Sequence, residues 1–231
     1  MGAENGTSIK EMISQLVKLD ALQWGGYAFY HEPLERKFTE EQKRDYILRA
    51  NACGKETAER LREKYPESSV MEMTKAEKFR AELPKMPTGG GHVLFASYVE
   101  PDEMTVYLDC VEKAEALAER ENLWELLPGL NLTDVLLAHE LFHGIEYRNR
   151  KEIYTQTEKI ELWRKPFSNR SRILCLSEMA AMAFAKELTG LPFSPYVLDV
   201  LLMYSYNEEA ACALYEEILE AAGIRERKET C

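Results

Sequence analysis

Histidine is scarce in this chain, with 4 among 231 residues. The five cysteines, Cys53, Cys110, Cys175, Cys212 and Cys231, are odd in number, widely spaced, and never form C-x-x-C. That spacing excludes a cysteine metal site and a disulfide framework, and it fits reduced thiols in a cytoplasmic protein. Positive charge is short as well, with 29 Lys and Arg against 40 Asp and Glu, a net charge of −11. With no basic cluster to offset that balance, a nucleic-acid face is excluded. No run approaches the ~18 apolar residues of a membrane helix, and Met1 to Lys10 lacks an apolar leader, so neither a membrane partner nor secretion is expected. The glycines Gly89, Gly90 and Gly91 are not followed by Gly-Lys-Ser/Thr, so Pro84 to Gly91 reads as a turn and not a phosphate loop.

What is present fits a globular chain with one sizeable core: 45% hydrophobic and 30% charged residues. Ser8-Ile-Lys-Glu11 reads as a capping box for a first helix running to about Gln23, before Gly25-Gly26. Thr39 starts a second helix closed near Gly54, and a third runs from Lys55 to Tyr65. A short helix is expected from Glu72 to Leu83. The runs His92–Val99 and Met104–Asp109 flank a Pro-containing turn and read as a hairpin. Glu112 to Glu125 reads as an amphipathic helix, and residues 148–170 as a polar, irregular stretch, either an exposed connection, the commoner case, or a lid facing the substrate.

The informative stretch begins at Leu136 and contains Ala138-His139-Glu140-Leu141-Phe142-His143, the pattern His-Glu-x-x-His. At about 100° per residue, the two histidines lie ~40° apart on a helix, one turn along it. Two imidazoles so placed can share one Zn²⁺, and Glu140 projects beside them as a general base for a metal-activated water. With so few histidines, composition alone yields such a pattern about once in a hundred chains. Thr133 is the expected N-cap, and Leu137, Ala138, Leu141, Phe142 and Ile145 gather on the face away from the histidines.

A second helix is expected over Ser171–Leu188, with Gly190 at its C-terminal end. From Ile173 to Ala185 it is apolar all round, and Glu178 is the one charge in that run. A carboxylate there costs several kcal/mol unless paired or metal-bound, so Glu178 is the expected third ligand. Glu146 is a weaker choice, because three ligands on one straight helix form a row. His92 would give a three-histidine site but begins a strand after a flexible loop, and His31 lies in a loop beside Pro33 without a partner motif. Tyr196, Tyr204 and Tyr206 are candidates for stabilising an oxyanion, although core packing is the commoner role for tyrosines of this kind.

This pattern resembles the gluzincin metallopeptidases, and within them the ImmA/IrrE group. The resemblance spans roughly residues 55–192 and is carried by Ala58-Glu-Arg-Leu, Tyr65, Leu83-Pro84 to Gly91, Thr105 to Asp109, Ala138 to His143, and Glu178-Met-Ala-Ala-Met-Ala-Phe184-Ala185. It implies a zincin-like fold in which Glu178 supplies the third ligand. The family usually has Gly where Phe142 stands, a shorter connection to the glutamate helix, and often a helix-turn-helix domain, which is not found here.

The expected fold is α+β and zincin-like: mostly helical, with a small antiparallel or mixed sheet packed on the motif helix. The expected parts are a helical extension at 1–54, a metallopeptidase domain at 55–192, and a C-terminal helical segment at 193–231 packed on the same core. The expected function is zinc-dependent peptide hydrolysis, with His139, His143 and Glu178 on the metal and Glu140 as base. The partner is then a peptide or protein substrate; no oligomeric state is indicated. The alternative is a non-catalytic regulatory or binding protein that retains the metal site.

Overall fold

Side chains fix the starts of six helices. Ser8, Asp20, Thr39 and Ser69 each close a reciprocal capping box with Glu11, Gln23, Gln42 and Glu72. Asn131 and Asn207 accept from the backbone N–H three residues on. The structure, a computed structural model, describes residues 7–85, 94–163 and 169–225.

Its helices are α1 (Ile9–Leu16), α2 (Ala21–Tyr30), α3 (Glu40–Lys64), α4 (Val70–Ala76), α5 (Leu108–Arg120), α6 (Leu132–Arg148), α7 (Tyr154–Thr157), α8 (Cys175–Thr189), α9 (Val197–Tyr204) and α10 (Glu208–Ala221). Its strands are β1 (Arg80–Glu82), β2 (Ala96–Val99), β3 (Glu103–Val106), β4 (Lys159–Trp163) and β5 (Asn169–Arg172). The class is α+β, mostly helical. One mixed sheet has the order β1-β3-β2, with β1 parallel and β2 antiparallel to β3. A second sheet is the antiparallel pair β4-β5.

Several expected elements differ. The first helix breaks at Val17–Asp20, and α2 runs through Gly25-Gly26. Those glycines allow close packing: a Cβ on Gly25 would stand 2.4 Å from Ile47 Cγ1, and one on Gly26 2.6 Å from the Ala221 carbonyl oxygen. Likewise α3 does not stop at Gly54, and a Cβ there would stand 2.1 Å from the Ala180 carbonyl oxygen. The chain therefore runs helically across the 54/55 boundary. The segment expected as one helix to Leu83 is α4 followed by β1. The described residues of the polar stretch, 148–163 and 169–170, hold α7, β4 and the start of β5 in place of an irregular connection. The turn at residues 86–93, with His92, lies outside the described residues.

One cluster of buried side chains joins α1 (Ile13, Leu16), α6 (Leu137, Phe142), α8 (Ala180, Phe184), α9 (Leu201) and α10 (Tyr215, Ile218). The C-terminal segment is thus part of the same core. Helix α6 lies between α8 and the mixed sheet, and at Gly144 a Cβ would stand 2.6 Å from Phe79 and 2.7 Å from Met104. Its His-bearing face is left to a cleft bounded by α8, α9 and β2. Among the described residues, no helix is long and apolar enough to cross a membrane.

Candidate metal centre

Helix α6 begins two residues before the expected position, capped by Asn131 and not by Thr133. Its apolar face is buried, with Leu137, Ala138, Leu141 and Phe142 all at 1% exposure or less. That burial turns the opposite face, with His139 and His143, toward the cleft. Their Nε2 atoms stand 3.0 Å apart.

Helix α8 delivers Glu178 to the same point. Oε2 lies 3.4 Å from His139 Nε2, and Oε1 lies 3.5 Å from His143 Nε2. Neighbouring donors on a tetrahedral ion with bonds of about 2.0–2.1 Å are separated by about 3.3–3.4 Å. The three donors, all within 4.8 Å of one another, therefore fit a metal ion. The sequence expectation of a sealed, apolar α8 is corrected in one respect. The Glu178 side chain is 54% exposed, so its carboxylate opens into the cleft and is not entombed in the core.

The tautomer of His143 is set from behind. Its Nδ1 lies 3.3 Å from Ser177 Oγ, and that hydroxyl donates to Glu146 Oε2 at 2.8 Å. Glu146 also accepts from Thr155 Oγ1 at 2.5 Å. With Glu146 ionised, the chain runs His143 Nδ1–H to Ser177 to Glu146, and Nε2 keeps its lone pair for the cleft. Burial pushes the Glu146 carboxyl up, but the hydrogen bonds from His143, Thr155 and Ser177 outweigh it and hold the group below its ordinary value. Glu146 thus braces His143 from behind and is not among the three donors that converge.

Behind His139 the arrangement differs. Its Nδ1 is buried without a hydrogen-bond partner among the described residues. Burial pushes this imidazole down, but Glu178, Glu140 and Asp199 outweigh it and raise its pKa. Partial burial pushes Glu178 up; the His139 hydrogen bond and the two imidazoles prevail and bring it to about 2. Burial raises Glu140, only 8% exposed, above its ordinary value.

Of the tyrosine candidates, Tyr196 lines the cleft, 7% exposed, and its hydroxyl has no partner among the described residues. Tyr206 donates instead to Asp109 at 2.9 Å, and neither it nor Tyr204 lines the cavities beside the centre. His31 lines the cleft but pairs with Glu217 at 3.0 Å. Sequence reasoning missed Asp199, Ser177 and the supporting role of Glu146. Asp199 was detectable by the signal that exposed Glu178: a lone acid within the apolar run Val197-Leu-Asp-Val-Leu-Leu202.

No family model, curated protein or solved structure matches the chain. The likeness to the gluzincins therefore rests on the residues themselves.

Proposed function

We propose that this chain is a zinc-dependent metallopeptidase of the gluzincin arrangement, with an ImmA/IrrE-like layout as its narrower form. The observation that carries the reading is the meeting of His139, His143 and Glu178 from two helices, with Glu140 buried beside them. Two neutral imidazoles and one carboxylate are the donor set that suits zinc while leaving a position open. Zinc held there supplies Lewis acidity toward a carbonyl and a water.

The remaining work falls to the chain's own residues. Glu140 takes the proton of the attacking water as its oxygen adds to the scissile carbonyl carbon. Glu140 then gives that proton to the amide nitrogen as the C–N bond breaks, leaving a carboxylate and an amine. Its raised pKa makes it a better proton acceptor than an ordinary carboxylate. Among the described residues, strand β2 sits at the edge of its sheet, next to β3 alone, and that edge would offer main-chain hydrogen bonds to an extended peptide. Helix α6 packs against β2, which brings that edge close to the centre. The cysteines Cys53, Cys110, Cys175 and Cys212 are free, in keeping with a reducing cytoplasm.

The test is zinc content and peptide hydrolysis in the wild type and in Glu140→Gln. One bound zinc in both proteins, with turnover lost in the variant, supports the reading. Full turnover in Glu140→Gln removes Glu140 from the mechanism. Bound zinc with no turnover across a broad peptide library favours the regulatory alternative.

A further inference from the structure

The cleft differs on the two sides of the histidine pair. A cavity of about 550 Å³ adjoins His139, within the ~300–1,000 Å³ common for small-ligand sites. Its walls include Leu94, Phe95, Val135, Leu136, Leu198 and Leu202, and among the described residues no lysine or arginine lines it. Leu94 and Leu174 remain 47% and 57% exposed at this cavity, an apolar surface left facing water. A second cavity of about 640 Å³ adjoins His143 and is polar, with Tyr98, Tyr147, Arg150, Gln156 and Arg172 among its lining residues.

Glu140 and Glu178 line both cavities, so the two meet at the candidate centre. Strand β2 links them as well: Ala96 belongs to the apolar cavity and Tyr98 to the polar one. Those residues point to the same face, about 6.6–6.8 Å apart along the strand. A peptide lying along β2 therefore passes from one environment to the other as it crosses the metal ligands.

Resting on the metallopeptidase reading, we infer that the substrates are peptides with a large apolar side chain, such as Leu, Phe or Met, on one flank of the scissile bond and a polar residue on the other. The apolar side chain fills the cavity beside His139. Burying it in place of Ala raises kcat/KM by about 10- to 100-fold. Substitution of Leu136 by Trp narrows that cavity from its α6 wall.

The experiment digests a randomised peptide library with zinc-loaded protein and reads the cleavage sites by mass spectrometry. Enrichment of Leu, Phe or Met on a single flank, shifted toward Gly or Ala by Leu136→Trp, supports the inference. Cleavage without an apolar flank overturns it and leaves the peptidase reading standing. A second measurement needs neither metal nor turnover: binding of N-acetyl-phenylalaninamide and N-acetyl-alaninamide to the zinc-free full chain, followed by NMR. Tighter binding of the phenylalanine probe, with shifts at Leu136 and Leu198, supports the cavity assignment even where the library stays uncut; the latter result overturns the peptidase reading alone. Equal binding of the two probes overturns the inference.

Discussion

The backbone N–H of Cys175 donates to Glu32 Oε2 at 3.0 Å, across 143 residues of sequence. Cys175 opens α8, and Leu174 supplies no side-chain cap of its own. A carboxylate from the end of α2 therefore satisfies one of the free amides at the start of the helix that carries Glu178, where the helix dipole also favours negative charge. Glu32 is 4% exposed and accepts a second N–H, from Leu34 at 3.2 Å. Glu32→Ala should cost about 1–3 kcal/mol of stability and weaken zinc binding, because Glu178 lies one turn into the loosened segment. Denaturant melts and zinc titration check this. A variant that loses stability but binds zinc as the wild type does would show that the cap acts on folding alone.

The relay from His143 through Ser177 to Glu146 predicts a separate effect on the metal. Ser177→Ala breaks the link, and Glu146→Gln removes the charge that orients it. Each should lower zinc affinity about 10- to 100-fold while leaving the three ligands in place. Competition with a chromogenic chelator measures this directly. Unchanged affinity in both variants would sink the relay.

Asp199 ties the centre to pH. Burial is the main cause of its rise from 3.8 to about 7, partly opposed by His139. A carboxyl whose folded pKa is raised lends its stability in full below the ordinary value and loses it as pH climbs through about 7. The raised pKa of His139 acts in the same sense, its contribution fading above 6.5. Asp199→Asn should therefore make the zinc-free protein more stable than wild type at pH 8, with the gap closing toward pH 4. Zinc favours the ionised aspartate, so the same variant should bind the metal more weakly. Thermal melts at the two pH values decide the first part, and a pH-independent gap would refute it.

The motif helix and its partner acid were legible because they carry chemistry that local sequence rules register. Histidines at i and i+4 define a face, and a lone glutamate in an apolar helix demands a partner. Capping boxes at Ser8 and Thr39 marked two helix starts for the same local reason. Gly25, Gly26 and Gly54 misled, because a glycine chosen for close helix contact looks like one that ends a helix. Strands β4 and β5 escaped notice because much of their sequence, such as Lys159, Glu161, Arg170 and Arg172, is charged and lacks the apolar alternation that marks a half-buried strand. The roles of Ser177 and Thr155 depend on how α6, α7 and α8 pack, which no single stretch encodes.

Tyr196 offers the sharpest separation of stability from chemistry. Its ring stacks on Trp24 with centroids 5.3 Å apart and meets Tyr27 edge-on at 5.7 Å. Phenylalanine preserves both contacts and removes a buried hydroxyl that has no partner among the described residues. Leaving such a group unpaired costs about 1–3 kcal/mol, so Tyr196→Phe should hold or raise the melting temperature of the zinc-free protein. On the metallopeptidase reading, that hydroxyl beside Glu178 would serve the developing oxyanion, and loss of such a donor typically lowers kcat about 10²- to 10³-fold. The expected result is a protein that is equally or more stable, binds zinc as before, and turns over far more slowly at similar KM. Wild-type kcat in Tyr196→Phe would return Tyr196 to the core, where its stacking alone explains it.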